Sequence, residues 1–350
     1  MPDVSSKGMG LHLRIDNSAI RNVLIILPDM IGLNVMSMPA LKQIIDCYQD
    51  KHIKVIGFNN CSEILIDENL PDLFLIDNQV PLNELIAFIK VHGPFGIVFD
   101  FLSSRASGQI VLDTEISYRL GWDYPGCTAY NVPVNYPTHD KSTVYDYLEF
   151  LTAVGEDSCY ERPQLKSTEG TKEQGRTWLQ EHGLLCERLI ILGVGGGNNK
   201  KRWPLENYFK LSNELNSYEG IGTLFVVGPN ELELCEEIRI IDKRAKVACN
   251  LPLQILKGVL DNACCSISND YSVMHVSAAL GIPTLGVFLA SDPIQWFPYL
   301  PPSQVLIGKS LVCRPCYRED CVKWECNDPL LFDMVMAGAK EIVHGLNRRA

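Results

Sequence analysis

The chain has 350 residues, 46% hydrophobic and 21% charged, which is ordinary globular usage and excludes disordered, coiled-coil and collagen-like classes. At roughly 100 to 200 residues per domain, the length predicts two domains. The net charge of -11 is uneven: residues 1–160 hold 10 basic and 20 acidic side chains against 21 and 22 in the remainder, so recognition of nucleic acid through a basic patch is disfavoured.

Met1 to Asp16 is polar, without the basic stretch, apolar stretch and small-residue cleavage site of a signal peptide. The longest apolar runs, such as Asn22 to Leu27 and Leu189 to Leu192, are strand-sized and far short of a membrane span. The expected location is the cytoplasm, where most of the 13 cysteines read as reduced thiols.

In chain order, Val23 to Leu27 reads as a buried strand, Pro39 to Tyr48 as a helix, and Ile53 to Phe58 and Leu73 to Ile76 as strands. Leu82 to Val91 follows as a helix and Gly96 to Phe101 as a strand, with Tyr118 to Gly121 and Thr143 to Val154 continuing the alternation. Polar residues and Pro163 interrupt the periodicity between Gly155 and Gln174, which predicts a boundary near residue 165. The two units are then residues 1–165 and 166–350.

A second cycle comprises helix Lys172 to Glu181, strand Leu189 to Leu192, a glycine-rich loop, helix Leu205 to Asn216 and strand Gly222 to Val227. Helices Glu231 to Ile241 and Leu253 to Asn262, strand Cys265 to Ser268, helix Val273 to Leu280 and strand Thr284 to Phe288 complete it. Alternating strands and helices predict an α/β protein with two doubly wound parallel sheets. Ligands in such sheets bind beyond the carboxyl ends of the strands, which directs attention to the loops after Leu192, Val227 and Ser268.

The first loop carries Gly195, Gly196 and Gly197, then Lys200, Lys201 and Arg202, then a helix opened by Pro204. Glycine amides and adjacent cations suit a phosphate or pyrophosphate; a solvated basic turn is the alternative reading. The third loop, Asn269-Asp270-Tyr271-Ser272, opens a helix bearing Met274 and His275 and ended by Gly281 and Pro283. Asp270 and Ser272 are also good N-cap types. The start of this helix would present donors and dipole to the same anion.

The order Lys-x-Trp-Pro, then Gly228-Pro229-x-Glu231, then Asn-Asp-x-x-x-Met-His-x-x-Ala-Ala-Leu-Gly-x-Pro-Thr, then Asp292-Pro293 resembles glycosyltransferase family 9, the ADP-heptose-dependent heptosyltransferases. The resemblance is specific over residues 189–326 and weaker over Val23 to Leu41 and Gly96 to Asp123, which hold Gly32, Asp100 and the Arg119-Leu120-Gly121 stretch. It implies the GT-B fold, two Rossmann-like domains facing a cleft, with the acceptor on the N-terminal domain and the nucleotide sugar on the C-terminal one. It further implies an inverting transfer of heptose from ADP-heptose to an acceptor hydroxyl, without a catalytic metal. The donor-binding residues are then Gly195, Gly196, Gly197, Lys200, Lys201, Glu231, Asn269, Asp270, Ser272, Met274 and His275. In this assignment Lys201 neutralises the diphosphate and Glu231 holds the ribose, while Asp270 meets sugar hydroxyls and His275 sits by the diphosphate.

Three departures qualify the resemblance. The family's general base follows the first glycine, where this chain has Leu33, so Asp29 and Asp100 are the candidate catalytic carboxylates. Tyr271-Ser272 and Leu289-Ala290 also replace smaller family residues near the sugar. The acidic N-terminal half favours a neutral or cationic acceptor, such as a protein hydroxyl or an amino-sugar natural product, over the anionic lipopolysaccharide core.

Cys313, Cys316, Cys321 and Cys326 crowd into fourteen residues, a thiolate set suited to structural iron or zinc. The resemblance strengthens this reading, since autotransporter heptosyltransferases bind iron through four cysteines. Reduced thiols packing a loop, or a disulfide formed on oxidation, are the alternatives. Two other functions compete: a nucleotide-sugar epimerase of the GT-B type, and a nucleotide-sugar-binding protein that lacks a base. An oligomer is compatible with all three readings.

Overall fold

The computed structural model describes residues 15–347 except 78, 139, 298, 310, 317–320, 322–324 and 328. The first fourteen residues, read above as lacking a signal sequence, lie outside the described residues, as do seven positions within the cysteine-rich segment 313–326.

The first half runs β1 (Asn22–Ile26), α1 (Ile31–Cys47), β2 (His52–Phe58), α2 (Asn59–Ser62), β3 (Leu73–Ile76), α3 (Leu82–His92), β4 (Ile97–Asp100), α4 (Arg105–Asp113), β5 (Tyr118–Trp122), β6 (Val132–Val134) and α5 (Thr143–Ala153). Its strands pair in parallel in the order β3-β2-β1-β4-β5-β6.

The second half runs α6 (Glu169–Glu181), β7 (Arg188–Gly193), α7 (Leu205–Leu215), β8 (Ile221–Val227), α8 (Glu233–Ile241), β9 (Val247–Cys249), α9 (Leu253–Asp261), β10 (Cys265–Asn269), α10 (Ser272–Ala279), β11 (Thr284–Phe288), α11 (Pro293–Trp296), β12 (Gln304–Ile307) and α12 (Pro329–Asn347). Its parallel order, β9-β8-β7-β10-β11-β12, repeats the first topology. The expected α/β architecture of two doubly wound sheets is what forms.

The central strands form because they are apolar on both faces. Val23 to Ile26 and Leu189 to Leu192 are buried throughout, as strands covered by helices on each side must be. Strand order reverses between β1 and β4 in one sheet and between β7 and β10 in the other, so each sheet has a crevice at that point. Several short elements carried too little pattern to be expected: α4, β6, β9 and β12. Helix α1 begins at Ile31 rather than Pro39, which lies inside it.

The halves are joined by more than the connecting segment. One apolar cluster includes Ile25, Leu41 and Phe150 of the first half and Ile191, Val259 and Val276 of the second. The 3-10 turn Glu63–Glu68 packs on α9, where the fully buried Lys257 donates to the Ile64 carbonyl at 2.9 Å and pairs with Asp67 at 3.3 Å. Burial pulls the Lys257 ammonium below the usual lysine range, against the opposing pull of Asp67 and Glu68. Asp67 also accepts from the Thr171 hydroxyl at 2.9 Å and the Thr168 amide at 3.3 Å. Helices α1 and α10 touch across the same divide.

Candidate active site

The loops at the carboxyl ends of β1, β7, β8 and β10 enclose a cavity of about 580 Å³ between the halves. Asp29 to Leu33 line it from one side, and Gly195, Lys201, Asp270 and His275 from the other.

The glycine-rich loop is organised from behind. The Glu231 carboxylate, 2% exposed, accepts from the Gly196 and Gly197 amides at 3.0 Å each and from Arg202 Nε at 2.9 Å, all at Oε1. Arg202 Nη2 lies 2.7 Å from the same oxygen. A Cβ on Gly195 would collide with Glu231 Oε2, so a larger residue there would have to displace this carboxylate. The Gly196 and Gly197 amides, expected to face a bound anion, are met here by Glu231 Oε1, and Glu231 Oε2, expected to meet a ribose, is buried beside Gly195 with no hydrogen-bond partner among the described residues. Of the three consecutive cations, Arg202 belongs to this strut and Lys201 reaches the cavity. Lys200 lines an adjoining opening with Asp292, Trp296 and Cys316.

Lys201 Nζ donates to Asp270 Oδ2 at 2.9 Å, and His275 Nε2 stands 3.7 Å from Oδ1. Burial alone would push the Asp270 carboxyl up, but the His275 imidazole and the Lys201 charge outweigh it and hold the pKa at about 2. Tyr299 Oη lies 3.2 Å from His275 Nδ1, fixing the ring, and Lys201 Nζ lies 5.7 Å from the centroid of Trp296. Neither Trp296 nor Tyr299 stood out in the sequence, because aromatic residues after a strand read equally well as core.

Asp270 and Ser272 do not cap α10. Tyr271 occupies the N-cap position, and no side chain bonds there. The first-turn amides therefore remain open beside Tyr271, Ser272 and Val273, all of which line the cavity. Two predicted ligand contacts are structural instead. Asn269 is fully buried and uses its whole amide, accepting from the Trp203 amide and the Tyr208 hydroxyl and donating to the Val194 and Gly195 carbonyls. Met274 is buried beneath the helix.

On the facing side, Asp29 is exposed, and among the described residues no hydrogen bond or ion pair holds its carboxylate. It lines both the main cavity and a smaller one of about 230 Å³ within the first half. Asp100, the other candidate base, is withdrawn. It is fully buried, accepts from the Tyr130 hydroxyl at 2.7 Å and the Ser103 amide at 3.0 Å, and lines neither cavity. Burial raises its carboxyl above the usual range.

Of the four clustered cysteines, Cys313 and Cys321 are exposed and Cys316 and Cys326 half-buried. Among the described residues no three histidine, cysteine or acidic side chains gather as a metal would need. The Cys316 amide donates to the Ala290 carbonyl at 2.8 Å, tying this segment to the end of β11. A disulfide joins Cys235 to Cys249, a pairing between α8 and β9 that sequence spacing did not indicate. No helix among the described residues is long and apolar enough to cross a membrane.

The profile of the family described as glycosyltransferase family 9 (heptosyltransferase) matches residues 93–326. Lipooligosaccharide heptosyltransferase 2 of Campylobacter jejuni subsp. jejuni serotype O:2 is 25% identical over 334 residues, 92% of this chain and 98% of that protein. The structure of E. coli ADP-heptose LPS heptosyltransferase II superposes with a TM-score of 0.77 at 20% identity, covering 94% of this chain and 100% of the other. The dodecameric iron-containing heptosyltransferase TibC, in complex with ADP-D-beta-D-heptose, gives a TM-score of 0.60 at 15% identity over 93% and 77% of the two chains.

Proposed function

Because this chain belongs to glycosyltransferase family 9, we propose that it transfers a heptose from ADP-heptose to an acceptor hydroxyl with inversion at the anomeric carbon. The observation that carries this reading is the cleft itself: the Lys201–Asp270–His275 group and the open amides of α10 face an unpaired carboxylate, Asp29, across one cavity. The donor rests on the second half, residues 166–350, and the acceptor on the first, residues 1–165.

In the proposed reaction the acceptor oxygen loses its proton to Asp29 and bonds to the anomeric carbon. The bond from that carbon to the diphosphate oxygen breaks, and ADP leaves with the electron pair. Charge growing on the leaving diphosphate is met by Lys201 and the α10 amides, preorganised before the reaction begins. That arrangement supplies the stabilisation a divalent ion supplies elsewhere, so the step as proposed uses none. Asp270, held ionised, keeps Lys201 extended into the cavity and leaves an acceptor for sugar hydroxyls. Asp29 in the cleft supports an enzyme over a binding protein without a base, and the family match supports transfer over epimerisation.

The four cysteines offer the thiolates that iron or zinc takes as a structural metal. Metal analysis of the purified protein decides that point. Eleven of the 13 cysteines are free, which supports a reducing compartment such as the cytoplasm.

Thermal unfolding with ADP, GDP and UDP in parallel tests the donor. A ligand at a hundred times its dissociation constant stabilises by about 2.7 kcal/mol. A shift with ADP alone supports the proposal, and a shift with another nucleotide replaces the donor.

A further inference from the structure

The smaller cavity, of about 230 Å³, opens at the reversal between β1 and β4, the position where an α/β sheet receives a ligand. Its walls come from β1, β2, β3, α3 and α4 and include ten apolar side chains, among them Ile56, Phe58, Leu85 and Ile110. Its polar members are Asp29, Asp77, Ser104 and Ser107. The two serines are occupied with each other in the capping box of α4, which leaves two carboxylates as the groups able to meet a ligand. No lysine, arginine or histidine lines it among the described residues; Arg105, exposed on the same turn, is not one of its walls.

Asp29 is the shared member of this cavity and the main cleft. A molecule seated in the smaller cavity therefore presents its edge to the carboxylate that takes the acceptor proton in the reading above, on which this inference rests. We propose that the small cavity is the acceptor-specificity site and that it selects an acceptor whose body beside the reacting hydroxyl is apolar and uncharged or cationic. An engineered cavity of about 150 Å³ holds benzene, so this one takes an aromatic ring with a short chain. The lining would desolvate an anionic sugar without returning a counter-charge, and both carboxylates would repel it.

Ligand-observed NMR titration of the full chain with ADP bound tests this with three probes: tyramine, 4-hydroxyphenylacetate and 6-phosphogluconate. Tyramine is expected to bind at least tenfold tighter than either anion. Ala106→Trp, on an exposed position of α4 that lines the cavity, should weaken tyramine at least tenfold while ADP affinity is retained. Leu82→Lys, at a site 40% exposed, adds a cation to the wall and should turn the preference toward 4-hydroxyphenylacetate. The proposal is overturned by absence of tyramine binding, by an anion binding as well as tyramine, or by indifference to both variants. Loss of the ADP response in the unaltered protein would instead strike the donor assignment.

Discussion

The Gly32 backbone lies against the imidazole of His275: a Cβ built on Gly32 would stand 2.9 Å from Cδ2 and 3.4 Å from Nε2. This contact brings the start of α1 in one half against the start of α10 in the other, and both starts line the main cavity. Glycine at this position is thus a requirement of approach between the halves.

Gly32→Ala is expected to displace His275 or part the two helix ends. The predicted result is a loss of at least tenfold in kcat/KM for the nucleotide sugar with a small change in Tm, because the helix itself accepts alanine readily. Steady-state kinetics beside a melting curve checks this, and unchanged kinetics would show that the contact yields without consequence.

The Lys201–Asp270 pair predicts an acid response with a definite sign. The Asp270 pKa is about 2 in the folded chain, below its ordinary 3.8. Its contribution to stability is therefore complete above about pH 3.8 and is lost as pH falls toward 2. One pKa unit corresponds to about 1.4 kcal/mol, so the contribution is on the order of 2 kcal/mol. Lys201→Met should remove part of this acid limb, the share held by His275 remaining, cost about 1–3 kcal/mol at neutral pH and weaken ADP at least tenfold. Denaturant melts between pH 2 and 7, with an ADP titration, read both effects.

Asp29 and Asp100 separate chemistry from scaffold. Asp29→Asn should lower kcat by roughly 10² to 10⁴ with ADP affinity unchanged, as expected when a general base is removed. Asp100→Asn keeps the size of a buried group that receives Tyr130 and Ser103, and should lower Tm while leaving the rate per folded molecule within a few-fold. If Asp100→Asn abolishes turnover in a folded protein, the base has been misplaced.

What the sequence made legible follows from how locally each feature is encoded. Strands such as Leu189 to Leu192 were readable because apolar runs of that length, flanked by turns, have few other uses in a charged chain. Lys201, Asp270 and His275 were readable because they sit at strand ends, where this fold binds ligands. The bonds that Glu231 makes to the glycine-rich loop were not legible, because a carboxylate near such a loop looks alike whether it faces a ligand or the loop itself, and the Gly196 and Gly197 amides it accepts from lie 34 to 35 residues away. The start of α1 was misread at Pro39 because proline is usual in the first turn of a helix, and the eight residues before it, Ile31 to Met38, lack an amphipathic stripe, most being buried. The Cys235–Cys249 bond and the small cavity depend on packing between elements, which no local pattern reports.

Lys257 predicts how firmly the halves are joined. Its ammonium is fully buried between Ile64, Asp67 and Glu68, so Lys257→Met leaves two acids facing an apolar side chain. Removing one partner of a buried pair typically costs about 3–5 kcal/mol. Thr168 and Thr171 still donate to Asp67 and offset part of that cost. The double variant Lys257→Met with Asp67→Asn should therefore recover some of the loss. The alkaline response has the same sense as the acid response of Asp270, stability rising with pH across each window, because both groups have a folded-state pKa below their ordinary value. Because burial lowers the Lys257 pKa from 10.5, the unfolded chain holds its proton more tightly, and stability gains as pH rises from the depressed value toward 10.5. In Lys257→Met this gain should be absent. Hydrogen exchange of residues 63–68 and 253–261 should accelerate in the variant, and unchanged exchange there would show that apolar contacts alone hold the two halves together.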